Sequence, residues 1–161
     1  MSYIRKNLMQ AEQVVYESKV HWFIFIGPAL WLTFGGLLWA IAEADTSADD
    51  PEAAALIAVS ATVMILFGAI RFLQAFLTRL TTEFGVTNKR VIAKQGWIRR
   101  DTTEINHSKV ESFAVDQSII GRVFGFGTVT VQGTGGGQTP IQNIDDPMKL
   151  RREAVQIIDQ A

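Results

Sequence analysis

The stretch GFGTVTVQGTGGGQTP, residues 125–140, places five glycines between Gly127 and Gly137. That composition could gather backbone N–H groups around a phosphate. A P-loop, however, needs G-x-x-x-x-G-K-[ST] opening a helix, so that a lysine and the helix N-terminus both face the anion. Here GTGGG runs through Gln138 and Thr139 to Pro140 with no lysine nearby, and the dinucleotide spacing G-x-G-x-x-G does not occur. Glycine also suits the positive φ of a hairpin end, and Thr128, Val129, Thr130 and Val131 alternate as a half-buried strand does. Gly133, Gly135, Gly136 and Gly137 are therefore expected to form a hairpin turn that binds no nucleotide, with contact to a partner protein as the loop's alternative use.

The other reactive side chains do not assemble into a catalytic or metal constellation. His21 and His107 have no cysteine and no regular carboxylate spacing around them, whereas a metal site needs three or four convergent ligands. Ser108, Ser112 and Ser118 stand outside any nucleophile-elbow sequence. Glu104 and Glu111 would act as a carboxylate pair only if the fold joined them. The expectation is a non-enzymatic protein with no cofactor. Bases are more suggestive: from residue 71 onward there are twelve against nine acids, and Lys89, Arg90, Lys94, Arg99 and Arg100 cluster within twelve residues. Near an anionic leaflet each base contributes about 1 kcal/mol, so this cluster is a candidate contact for anionic lipid or for a partner. The net charge of the whole chain is −1, which gives no general pull toward nucleic acid.

The elements that carry these residues are set by the hydropathy pattern. Mean hydropathy is +0.17 although 19% of residues are charged, so the apolar residues are concentrated. Residues 22–42 run 21 residues without a charge, about 31 Å as a helix, and residues 53–70 run 18, about 27 Å. A bilayer core is about 30 Å thick. Both are predicted to span the membrane as a helical hairpin covering residues 21–79. The first run is longer than a signal-peptide core and comes after a 21-residue lead, so it is expected to be retained.

Residues 43–52, EADTSADDPE, hold five of the sixteen acids and no base, whereas Arg5, Lys6 and Lys19 precede the first span and Arg71, Arg79, Lys89 and Arg90 come after the second. Lysine and arginine belong on the cytoplasmic side. Both termini are thus predicted to face the cytoplasm, with the acidic loop outside. Ala29, Thr33, Gly36 and Ala40 on the first span, and Ala54, Ala58, Ala61 and Gly68 on the second, recur at helical spacing. Small faces let helix backbones approach closely where lipid supplies no hydrophobic drive. With no ionisable residue in either span, a transporter is disfavoured.

The lead, residues 1–20, carries Ile4, Leu8, Ala11 and Val15 at the spacing of an amphipathic helix, and Val14–Val20 reads equally well as extended chain. After Leu80 the pattern becomes short alternating segments separated by turn residues. Strands are predicted near 81–86, 90–94, 97–100, 102–105, 109–116, 127–132 and 140–144, with a short helical turn or loop at 118–126. Asp145, Asp146 and Pro147 supply an N-cap and first-turn proline for a C-terminal helix whose Leu150, Ala154, Ile157 and Ala161 share a face.

Several phrases of the sequence recur in one known group. TNKR at 87–90, Glu104-Ile105, Q-S-I-x-G-R-x-x-G-x-G-T-V at 117–129 and G-T-G-G at 133–136 stand in the order found in membrane-bound bacterial pleckstrin-homology (PH) domain proteins. The lead with Glu12, Val15, Tyr16, His21 and Trp22 before two spans also resembles that group, so the likeness covers nearly the whole chain. It implies an α+β membrane protein in which a transmembrane hairpin precedes a PH-like seven-stranded β-sandwich or barrel, residues 80–161, with a capping helix. It implies a position at the inner face of the cytoplasmic membrane and no catalytic residues. In PH domains the first hairpin is where headgroups are held, and TNKR falls there. Two functions result as expectations: an interaction module that binds itself or another membrane protein, and, as the alternative, an anionic-lipid sensor using the basic hairpins.

Overall fold

Period-two burial shows how the sheets form. In Phe126–Gly133 the buried positions are Gly127, Val129, Val131 and Gly133, and the alternate residues are half-buried, the pattern of a strand with one face in a core. The computed structural model describes residues 3–44, 51–96 and 101–158. The chain divides into two units, Met1–Phe23 with Leu77–Ala161, and Ile24–Phe76.

The first unit is α+β. A short helix α1 (Tyr3–Lys6) precedes strand β1 (Val14–Lys19), and the remaining strands are β2 (Glu83–Thr87), β3 (Arg90–Gln95), β4 (Asp101–Asn106), β5 (Val110–Asp116), β6 (Phe126–Gly133) and β7 (Gln138–Asp145). Two antiparallel sheets result, β1-β2-β3-β4 and β5-β6-β7. Phe84, Val86, Val91 and Ala93 of one sheet meet Phe113, Val129, Val131, Ile141 and Ile144 of the other, and Leu150 and Ala154 of the C-terminal helix α5 (Pro147–Ile158) close the core. The Asp146 carboxylate accepts from the Lys149 N–H at 3.2 Å and so caps α5. A bridge between Val20 and Ile144 joins the two sheets at one corner, where the Ser18 hydroxyl donates to the Asp145 carbonyl at 3.0 Å.

Seven strands are present among the described residues, but they are not the seven that alternation predicts. The predicted strand 97–100 lies outside the described residues, and the additional strand is β1, from the lead. Of the lead's two readings, the extended one holds for Val14–Lys19, while helix is confined to Tyr3–Lys6. Ala11 at φ 61° cannot continue a right-handed helix. Ile4, fully buried, covers the outer face of β2: a Cβ on Gly85 would lie 2.7 Å from its Cδ1. Strands β2 and β3 are consequently buried on both faces, Phe84–Thr87 and Arg90–Ala93 alike.

Between β5 and β6 lies a short helix α4 (Ile119–Phe124). The Ser118 hydroxyl caps it by accepting from the Gly121 N–H at 3.0 Å, and Gly125 at φ 78° ends it in the left-handed conformation.

The second unit is an antiparallel pair of long helices, α2 (Ile26–Ala44) and the greater part of α3 (Pro51–Thr81). Helix α3 continues without a break past residue 70, the predicted end of the second span, and its 31 residues reach about 46 Å. Only 6% and 11% of their most apolar windows are buried, so neither is the core helix of a globular fold. Trp31 of α2 pairs with Phe67 of α3 at 5.2 Å, and Phe25, in the 3-10 turn just ahead of α2, pairs with Phe72 of α3 at 5.2 Å.

The close approach runs along a different stripe of α2 from the one that small-residue spacing suggests. Ala29, Thr33, Gly36 and Ala40 are all exposed. Gly35 is buried instead, and a Cβ there would stand 2.8 Å from Ile65 Cγ1 and 3.2 Å from the Ala61 carbonyl oxygen. On α3, Ala61 and Gly68 are buried and Ala54 and Ala58 half-buried, with Leu32 against Gly68 at 3.0 Å from its would-be Cβ. Neighbouring residues on a helix point about 100° apart, so Gly35 makes the close contact while Gly36 lines an open groove with Trp39, Thr62, Ile65 and Leu66. Gly35→Ala is expected to destabilise the helix pair by about 1–3 kcal/mol through overpacking, whereas Gly36→Ala, whose Cβ meets nothing within 4 Å, is tolerated. Thermal unfolding of both full-length variants in detergent tests this ordering.

Candidate functional site

The turn Thr87-Asn88-Lys89-Arg90 joins β2 to β3, and each of its four side chains reaches back to the lead. The Thr87 hydroxyl donates to Glu12 Oε1 at 2.8 Å. Asn88 Nδ2 donates to the Ala11 carbonyl at 3.1 Å, and its Oδ1 accepts from the Gln13 N–H at 3.0 Å. Lys89 Nζ donates to the Gln10 carbonyl at 2.9 Å. Arg90 Nε and Nη2 take the two oxygens of Glu12 at 3.0 Å each, Nη1 donates to Glu104 Oε2 at 2.7 Å, and Nη2 also donates to the Asn7 carbonyl at 3.0 Å. The two-pronged contact with Glu12 fits the planar fork of guanidinium to carboxylate.

Both charges are out of solvent, the Arg90 side chain 7% and the Glu12 side chain 0% exposed. A buried carboxylate persists only when its acceptor capacity is used. Glu12 accepts two bonds from Arg90, one from Thr87 and one from the Met9 N–H at 2.7 Å. Burial pushes its carboxyl up, but the Met9 N–H, the Thr87 hydroxyl and the Arg90 guanidinium outweigh that effect and hold it below the ordinary value.

Other groups reinforce the same attachment. Glu83 Oε2 accepts from the Tyr3 and Ile4 N–H groups at 2.7 and 3.3 Å. Lys94 Nζ stands 4.4 Å from the centre of the Tyr3 ring, a cation–π contact. His107 Nε2 donates to the Thr87 carbonyl at 2.8 Å, behind the turn, and its buried Nδ1 has no partner among the described residues.

The bases singled out in the sequence therefore divide. Arg90 is buried in ion pairs and is not offered to a headgroup. Lys89 and Lys94 lie at the surface with their ammonium groups directed to the lead, and Arg99 and Arg100 lie outside the described residues. Glu104 is partnered by Arg90 rather than by Glu111, which is exposed on β5. The lead's contribution was legible only as a lone acid, Glu12; no local pattern pairs it with a base 78 positions away.

The glycine loop is a hairpin turn between β6 and β7. Three of its N–H groups are taken: Gly133 donates to the Gly137 carbonyl, Thr134 to Lys109 and Gly136 to Gly133, at 2.9–3.1 Å. Gly136, at φ 73°, supplies the left-handed residue of the turn. An anion nest needs convergent free N–H groups, and these three point elsewhere.

His21 is also structural. Its Nδ1 accepts from the Phe23 N–H at 3.2 Å, its backbone N–H donates to the Asn143 carbonyl at 2.7 Å, and its ring stacks on Phe126 at 5.5 Å. Ser112 donates to Gln132 and Ser118 caps α4. Among the described residues, no three histidine, aspartate or glutamate side chains converge on a point where a metal could sit.

A family model described as a bacterial PH domain matches residues 23–156. No curated protein and no solved structure matches the chain.

Arg90→Ala would leave Glu12 charged, buried and unpaired, and is expected to cost about 3–5 kcal/mol. Lys89→Ala, at an exposed position, should stay within about 0.5 kcal/mol. Urea unfolding of the two variants in detergent separates these outcomes. Because the Glu12 carboxyl is held low in the folded state, its contribution is present above the unfolded carboxylate value of about 4.3 and is lost as pH falls through the lower folded value. The gap in urea midpoint between the native chain and Glu12→Gln should therefore narrow between about pH 7 and pH 3; a constant gap would show that the charge of Glu12 is not what stabilises the lead.

Proposed function

The chain belongs to the bacterial PH domain family, and we propose that it is a non-enzymatic interaction module, anchored in the cytoplasmic membrane by α2 and α3, that binds a second copy of itself or another membrane protein. PH domains are in general non-catalytic interaction modules. The binding role is carried here by the use of TNKR as an internal latch. With Arg90 buried and Lys89 and Lys94 directed to the lead, the first hairpin has little charge to spend on a lipid headgroup. A protein-binding role is thus favoured over a lipid-sensing one.

Among the described residues, edge strand β4 is laddered to β3 and edge strand β5 to β6. Exposed Asp101, Thr102, Glu104 and Asn106 on one, and Glu111, Ser112, Ala114 and Asp116 on the other, make these edges polar enough to stay soluble and still accept an added strand.

Anchoring is supported by the length of both helices and by the large apolar side chains they leave uncovered, among them Leu30, Phe34, Leu56, Val59, Leu66 and Ile70. Water would meet a continuous apolar surface far larger than a soluble protein tolerates. Strand pairing adds a topological argument. Because β1, ahead of α2, pairs with β2, after α3, a helix pair that crosses the bilayer would have both its ends on one side, and the flanking bases favour the cytoplasm for that side.

The test is the mass of full-length protein in lipid nanodiscs, with bound species identified in the same spectrum. A homo-oligomer or a stoichiometric protein partner, with no lipid retained selectively, is expected. A monomer that keeps an anionic lipid, and loses it on Lys89→Ala, would overturn the reading in favour of lipid sensing.

A further inference from the structure

Helix α4 turns its apolar residues to the outside. Ile119 is 83% and Val123 74% exposed, and Ile120 and Phe124 are also exposed. Arg122 is the only charged residue of the helix. A soluble surface does not present four large apolar side chains on six residues without a reason, and the local structure is not slack: Ser118 and Gly125 cap both ends.

The position of this patch identifies what covers it. Phe124 packs against Phe23 with ring centres 5.2 Å apart and against Trp22, edge-on, at 6.5 Å. Phe23 in turn stacks on Phe126 at 4.3 Å, so α4 and the Trp22-Phe23 pair form one rigid aromatic cluster. Trp22, itself exposed, is the first residue of the first apolar span, Trp22–Ala44. Tryptophan at such a boundary sits at headgroup level. A helix fixed by ring contacts to that residue is held at the same depth.

We propose that α4 is an interfacial foot, with Ile119, Ile120, Val123 and Phe124 immersed in the boundary between headgroups and acyl chains and Arg122 among the headgroups. The bilayer surface, rather than a protein, is the occupant, because the apolar patch is continuous with the residue at which the chain enters lipid. This inference rests on the membrane-anchored reading of α2 and α3. Interfacial helices of this kind bind through their buried apolar face, with basic residues adding attraction to an anionic leaflet. The foot would fix the tilt of the PH-like unit on the membrane and hence which sheet edges face a partner.

The chain has no cysteine, so single-cysteine variants carry a nitroxide label at one chosen place. The full chain would be labelled at Ile119→Cys and Val123→Cys, with Leu30→Cys as the lipid reference and Gly135→Cys as the water reference, in vesicles of phosphatidylethanolamine and phosphatidylglycerol. Collision with oxygen and with a water-soluble nickel chelate reads the depth of each label. Labels at 119 and 123 are expected to be open to oxygen and protected from nickel, between the two references. Nickel access equal to that at residue 135 would overturn the proposal, and protection from both reagents would overturn it in favour of a protein covering the patch. If Leu30→Cys itself behaves as water-exposed, the anchored reading fails and the foot with it; if Leu30 is in lipid and 119 and 123 are in water, the foot alone fails. Both positions are highly exposed, so the substitutions should leave the circular dichroism of the protein unchanged.

Discussion

A carboxylate and a guanidinium buried together must be paired completely or the region that holds them does not fold. Glu12 and Arg90 meet that condition through two mutual hydrogen bonds, with Thr87, Met9, Glu104 and Asn7 using most of what remains. The pair lies on the outer face of β2 and β3, which would otherwise be a solvent face. Removing either partner leaves a charge in a low-dielectric site, whereas forming the pair holds the lead flat against the sheet. The lead then covers Gly85, which stands opposite Ile92 in the ladder, and delivers β1 to the sheet edge.

The arrangement has consequences for function. A sheet that draws its first strand from ahead of the apolar helices and the next from behind them cannot be assembled until both helices have been made. It also removes Arg90 from the surface and turns Lys89 and Lys94 toward the lead: the motif that resembles a headgroup-binding hairpin is occupied by the protein's own lead. The surfaces left to a partner are of another kind, polar strand edges at β4 and β5 and apolar side chains on α2, α3 and α4. Polar edges suit pairing with a protein strand. Apolar helices suit lipid or a neighbouring helix.

Much of the fold was legible in the sequence because it depends on local rules. The charge-free runs gave two long helices, the alternation of 127–132 gave β6, and Asp146-Pro147 marked the start of α5. Gly133–Gly137 could be separated from a phosphate loop because Gln138, Thr139 and Pro140 come next, with no lysine and no helix. Adjacent glycines at 35 and 36 defeated the helix-face assignment, since small-residue spacing is satisfied almost as well by a stripe rotated through about 100°, and only the partner helix selects between them. Residues 118–126 read equally as a short helical turn or a loop, and nothing in their chemistry announced that the apolar side chains of the helix would be left outside.

Local sequence dictates the elements: apolar length, period-two strands, capped helices and a glycine hairpin each arise from neighbours a few residues apart. The ownership of the first strand and the fate of Arg90 are settled only in the folded chain. Both depend on contacts between segments separated by more than 60 residues, across two helices that neither segment predicts. A basic residue in a hairpin has the same local signature whether it faces lipid or a buried carboxylate. Only the burial of Glu12 against it, which no spacing encodes, turns a candidate binding site into the fastening of the fold.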